Sequence, residues 1–156
     1  TEPSPAPSPS PAPPVLPVAG GGVGFLEAPS IDLRAAVVEG VSVRDLRKGP
    51  GHLPQSVLPG QQGNVVISGH RTTYGAPFNR LDELAEGDML RMVTPAGSFE
   101  YRVTSKRIVA PTEVSVIAPT EDARLTLTTC HPKFSAKQRL IVVASLVTPV
   151  ARAPAA

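Results

Sequence analysis

Residues 125–142 read LTLTTCHPKFSAKQRLIV, and their pattern decides the architecture. Leu125 and Leu127 alternate with Thr126, Thr128 and Cys130, the period of a half-buried strand, so the leucines take one face and the thiol leaves on the other. RLIVVASLV, residues 139–147, then opens a β-branched run with Arg139 at its head. If the two strands are antiparallel neighbours, the connection at 131–138 brings Cys130 and Arg139 to one rim.

The same alternation recurs along the chain. It predicts strands at 35–39 (AAVVE), 41–46 (VSVRDL), 64–69 (NVVISG), 88–94 (DMLRMVT), 98–109 (SFEYRVTSKRIV), 113–117 (EVSVI), 124–129 (RLTLTT) and 139–147. PAG at 95–97 reads as a hairpin loop, and GPGHLPQSVLPGQQG at 49–63 as a long Gly/Pro loop. FNRLDELAEG at 78–87 predicts a short helix with Phe78, Leu81 and Leu84 on one face. Eight short strands predict an all-β fold, a closed eight-stranded barrel with one or two short helices, because closure removes exposed edges.

The ends of the chain read differently. TEPSPAPSPSPAPPVLP, residues 1–17, holds eight of the nineteen prolines, and GGGVG follows at 20–24. Residues 1–24 are therefore expected to be a disordered linker, in which seventeen residues of polyproline II span roughly 50 Å. Residues 25–150 make the expected domain, and 151–156 a flexible tail. The first residue is Thr1 rather than Met, and a proline-rich spacer joins two things, so a membrane anchor upstream is the expectation. One cysteine excludes an internal disulfide framework and a thiolate zinc cage. Net charge is +2 with dispersed cations and no Trp, which argues against nucleic acid as a partner.

Chemistry enters through three residues. A lone cysteine more often packs as a small hydrophobe. Cys130, however, sits among Thr128, Thr129, His131 and Pro132, the composition of a strand end rather than a core centre. The thiolate is the nucleophile and needs a base nearby. His70 ends NVVISGH as Cys130 ends LTLTTC, so two strands running the same way present both at one end of a barrel. His131 is adjacent to Cys130, yet neighbouring strand residues point to opposite faces. His52 lies in the Gly/Pro loop and is expected to shape it. Arg139 stays charged and offers donors for an oxyanion. The signatures around the cysteine of papain-like proteases and caspases are absent.

TLTTCHPKFSAKQRLIV, residues 126–142, resembles the TLxTC followed by an arginine that marks sortases, the cysteine transpeptidases of Gram-positive cell surfaces. GNVVISGHRTTYGAPFNRLDEL, 63–84, resembles their histidine segment, and GPGHLPQSVLPG, 49–60, the loop before it. TCHP and HRTTYGAPF look most like class E. The likeness runs in order over most of residues 30–147. It implies a sortase β-barrel with Cys130 as nucleophile, His70 as general acid/base and Arg139 as the residue that orients substrate and stabilises the oxyanion.

The resemblance also implies partners. Substrates would be secreted proteins with a C-terminal Leu-Ala-x-Thr-Gly or Leu-Pro-x-Thr-Gly motif, cut between Thr and Gly through a thioester. The acceptor would be an amine of a peptidoglycan precursor, at the extracellular face of the membrane. Tyr74 occupies the place linked to the alanine-containing motif, where its phenol could bond an amide that proline lacks; packing of its own loop is the alternative. Thr129 either contacts the motif from the groove wall or is an ordinary strand threonine. No cofactor is expected, and Glu113, Glu121 and Asp122 form no recognisable calcium loop, so no metal is expected. A pilin polymerase of the same fold and a catalytically silent surface-binding module on a stalk are the rival readings.

Overall fold

The alternation that begins at Leu125 closes a sheet on itself. The computed structural model describes residues 17–148. In chain order the strands are β1 (Gly22–Ala28), β2 (Leu33–Glu39), β3 (Gly51–His52), β4 (Gly63–Ser68), β5 (Met89–Thr94), β6 (Gly97–Val109), β7 (Ala123–His131) and β8 (Gln138–Leu146). They form a closed barrel in the order β1-β2-β3-β4-β7-β8-β6-β5, with β1 against β5 completing the ring. The β2–β3 and β4–β7 pairs are parallel, the others antiparallel. Leu26, Val37, Val65, Ile67, Leu90, Met92, Leu125, Leu127 and Val142 fill the interior. Each such side chain contributes ~1.5–3 kcal/mol by leaving water.

Strand β4 departs from simple alternation because both of its faces are covered. Val65 and Ile67 enter the core, while Asn64 and Val66 are also buried. Asn64 Nδ2 donates to the carbonyls of Val116 and Ala118, so the β6–β7 connection lies over the outer face. The Ser56 hydroxyl accepts from the Val66 N–H, and the Leu53 N–H donates to the Val66 carbonyl. The loop before β4 thus roofs the same strand.

Four local expectations need correction. VSVRDL folds as a helix, α1 (Val43–Lys48), because Ser42 and Asp45 form a capping box that outweighs the alternation of Val41 and Val43. EVSVI is a 3-10 turn, Val114–Ile117, since it has no strand to pair with and serves as the cover over β4. Only Leu81–Glu83 of the predicted 78–87 helix is helical, as a 3-10 turn, although Phe78, Leu81 and Leu84 are all buried as one face. Strands β1 and β3 were not predicted, and β1 starts at Gly22, inside the stretch expected as linker.

Gly24 explains that start: a Cβ there would lie 2.1 Å from the Val93 carbonyl oxygen, so its glycine permits the close β1–β5 approach and is no sign of flexibility. Most of the expected linker, residues 1–16, and the tail at 151–156 lie outside the described residues. Among the described residues no helix is long and apolar enough to cross a membrane.

Candidate active site

The β4–β7 ladder sets the site. Gly63 pairs with Ala123 and each pairing through Ser68 with Thr128 keeps the same offset, so His70 and Cys130 stand level just past the last pair. The Gly69 N–H donates to the Thr128 carbonyl at 3.1 Å and carries the ladder one step further. On the other side of β7, Arg139 of β8 is the direct antiparallel partner of Cys130. Neighbouring strands lie ~4.8 Å apart, so His70, Cys130 and Arg139 occupy three successive strand ends of one rim.

Each side chain has a distinct setting. Cys130 is a free, half-buried thiol. The His70 ring packs against Tyr74 with centroids 5.1 Å apart, and its Nε2 is buried without a hydrogen-bond partner. Such an orphaned polar atom calls for an explanation, and a partner that arrives with substrate is one. Arg139 Nη1 donates to the carbonyls of Ala136 and Gln138, so neutral acceptors of its own loop hold the guanidinium.

Tyr74 is 53% exposed, and the Arg47 guanidinium lies over its ring at 5.5 Å. Tyr74, Gly75 and Ala76 are three successive residues with positive φ, at 50°, 82° and 44°. For each non-glycine residue that conformation costs roughly 1–2 kcal/mol. The turn is held by the Ala76 N–H to Thr73 carbonyl bond and by the Phe78 N–H to His70 carbonyl bond. The strained turn thus sets the tyrosine beside the histidine.

Thr129 faces inward. It shares the Leu125 and Leu127 side of β7, is 3% exposed, and donates its hydroxyl to the Gly69 carbonyl at 2.7 Å. A substrate contact from the groove wall is therefore not open to that hydroxyl. Thr128 is on the outer face and bonds Ser68 across the strands at 2.7 Å. A groove of about 130 Å³ begins there, lined by Thr128, Arg139 and Ile141 and walled by Val114, Val116 and Ile117. A larger cleft of about 440 Å³, between Tyr74–Pro77 and Leu33–Ala36, holds none of the three rim residues, so its size does not make it the site.

His52 is buried in β3 with Nδ1 2.6 Å from Glu39 Oε1 and Nε2 2.8 Å from the Val57 carbonyl, which fits the loop-shaping part expected of it. Sequence reasoning passed over Arg71. Its guanidinium is buried, donates to the Cys130 carbonyl and lies 3.3 Å from His131 Nδ1, so His131 is occupied away from His70. An arginine next to a candidate catalytic histidine was the available signal. Among the described residues no group of three or more His, Cys, Asp or Glu could hold a metal ion.

A thiol, an imidazole and a guanidinium on one rim have the chemistry for acyl transfer: nucleophile, proton carrier and oxyanion donor. That, on a closed mixed barrel, defines a class of cysteine-dependent acyl-transfer proteins. Residues 26–147 match the Sortase domain model, and the chain belongs to the sortase family of cysteine transpeptidases.

It is 39% identical over 137 residues to Sortase D of Bacillus subtilis strain 168, covering 85% of this chain and 67% of that protein. It is 31% identical over 144 residues to Sortase SrtE1 of Streptomyces coelicolor, covering 82% of this chain but only 41% of that protein. Among solved structures, sortase E from Streptomyces avermitilis superposes with a TM-score of 0.78 at 32% identity, over 84% of this chain and 91% of that one. These three are one type D and two type E sortases, and further relatives are of types A and C.

Proposed function

We propose that this chain is a class E-like sortase that joins secreted proteins to the cell wall. Cys130 attacks the carbonyl of the Thr–Gly bond in a C-terminal Leu-Ala-x-Thr-Gly or Leu-Pro-x-Thr-Gly motif. His70 gives a proton to the departing glycine amine, and a Cys130 thioester forms. His70 then takes a proton from an incoming amine of a peptidoglycan precursor, which expels the sulfur and makes the new amide. Arg139 leaves its loop carbonyls to hold the substrate carbonyl. The work takes place on the extracellular side of the membrane.

One observation carries this reading: the unbroken parallel register that brings His70 level with Cys130, with Arg139 opposite. Mass spectrometry after incubation with a motif peptide and a glycine amine tests it. A transfer product is expected, and its loss in Cys130→Ala. Lack of any covalent adduct on the wild-type thiol overturns the transpeptidase reading.

The identity to Sortase D supports a second, D-type reading of the class. Tyr74 beside His70 supports type E. Faster turnover of the alanine-containing peptide is expected; faster turnover of the proline-containing one removes the class E assignment and leaves the transpeptidase.

A further inference from the structure

The main-chain ladder between β4 and β7 stops one step short of the reacting residues. Donors on one parallel strand recur at every second residue. After Gly69 N–H to Thr128 carbonyl, the next bond in register is therefore Arg71 N–H to Cys130 carbonyl. Among the described residues that bond is not made. The Cys130 carbonyl accepts instead from Nη1 of the same Arg71, at 2.9 Å. The reciprocal bond would need an N–H from residue 132, which is Pro132 and has none. Asn79 Nδ2 supplies it, donating to the Arg71 carbonyl at 3.0 Å. Two side chains thus complete the sheet at the height of His70 and Cys130.

The rest of the guanidinium is committed too. Nε donates to the Asn79 carbonyl at 3.1 Å, and Nη2 lies 3.1 Å from Asp82 Oδ1. The Arg71 side chain is 3% exposed, and Asp82 is its charged partner. A buried cation demands such pairing, and a planar fork reaches these three acceptors on two segments at once, whereas a lysine ammonium is a point charge.

We propose that Arg71 is a positioning residue that sets the height of Cys130 relative to His70, its guanidinium replacing the ladder bond the chain gives up in order to turn after His70. This rests on the reading that Cys130 and His70 act together. Arg71 lies behind the rim, outside the groove beside Arg139, so it governs the rate of acylation rather than the binding of the motif.

The test compares wild type, Arg71→Lys, Arg71→Ala and Asp82→Asn, each checked for folding by thermal melting. For Arg71→Lys, kcat for thioester formation is expected to fall about a hundredfold with KM within about twofold, because a small misplacement of reacting groups has that effect. The pH profile of Cys130 alkylation by iodoacetamide should shift in the same variant. Added guanidinium at low concentration should restore part of the activity of Arg71→Ala and none of that of Cys130→Ala. Asp82→Asn, altered at a half-exposed position, should show the same changes in smaller degree.

A folded Arg71→Lys enzyme with wild-type kcat and alkylation profile, or a loss confined to KM, overturns the proposal. If Arg71→Lys does not fold, wild-type behaviour of folded Asp82→Asn overturns it. A wild type that never acylates, yet whose alkylation profile still responds to Arg71→Lys, refutes the transpeptidase reading and leaves the positioning one.

Discussion

The hydroxyl of Thr129 donates to the carbonyl of Gly69 at 2.7 Å, tying the residue before the candidate nucleophile to the residue before the candidate base. The bond crosses between parallel strands from the inner face, while Cys130 leaves on the outer one. Thr129→Val keeps the shape and removes the donor, leaving a buried carbonyl unpaired at roughly 1–3 kcal/mol. A lower melting temperature and slower acylation are expected, with Thr129→Ser recovering both. Full acylation by a destabilised valine variant would separate the bond from the chemistry.

Arg139 has only main-chain carbonyls to leave when substrate arrives. Arg139→Lys keeps the charge and loses the fork. Acylation should slow by about 10²–10³, the effect of removing one oxyanion donor. The melting temperature should hardly change, because the residue is outside the core. Stopped-flow measurement of thioester formation reads the effect, and an unchanged rate would deny Arg139 any part in the reaction.

The Tyr74 phenol tests motif preference. If its hydroxyl bonds the amide of an alanine in the motif, Tyr74→Phe forfeits about 1 kcal/mol, or about fivefold in kcat/KM, for the alanine peptide alone. The proline peptide should be unaffected. Equal losses on both peptides would mean that Tyr74 acts by packing on His70.

Tyr101 connects pH to stability. The Gly60 N–H donates to its buried hydroxyl at 2.9 Å, and burial pushes the phenol above its ordinary value while that bond opposes the rise. A folded-state pKa above the unfolded one contributes stability that is full below about 10 and lost as pH climbs through the folded value. Tyr101→Phe should flatten that alkaline decline. It should also cost roughly 1–3 kcal/mol at neutral pH by orphaning the Gly60 N–H. Urea melts between neutral pH and about pH 11 check both.

Gly24→Ala should unfold part of the ring. Its Cβ would meet the Val93 carbonyl oxygen at 2.1 Å, and relief requires β1 and β5 to separate. A loss of about 1–3 kcal/mol is expected from such overpacking, read as a fall in the denaturation midpoint. A wild-type midpoint would mean that the barrel closes with slack at this seam.

Alternation of polar and apolar residues made β5, β6 and β7 legible, and a β-branched run made β8 legible. Strand β1 was hidden by its two glycines, Gly22 and Gly24, of which Gly24 serves a close approach to β5, and β3 by its length of two residues. Helix α1 announced itself only through the Ser42 and Asp45 pair. The count of eight survived because two segments wrongly expected as strands balanced two that were missed.

Residue type and periodicity alone determined that the chain is mainly β, that Cys130 ends a strand on its polar face, and that His70 and Arg139 are candidates to join it. Such information is local: it records which side of a strand meets water and which chemistry each side chain has. The shared β4–β7 offset, the inward turn of Thr129 and the buried Arg71 fork on the Cys130 carbonyl were decided only by tertiary structure. Strand neighbours far apart in sequence have no period to reveal them, and a buried cation is settled by the acceptors that other segments bring to it.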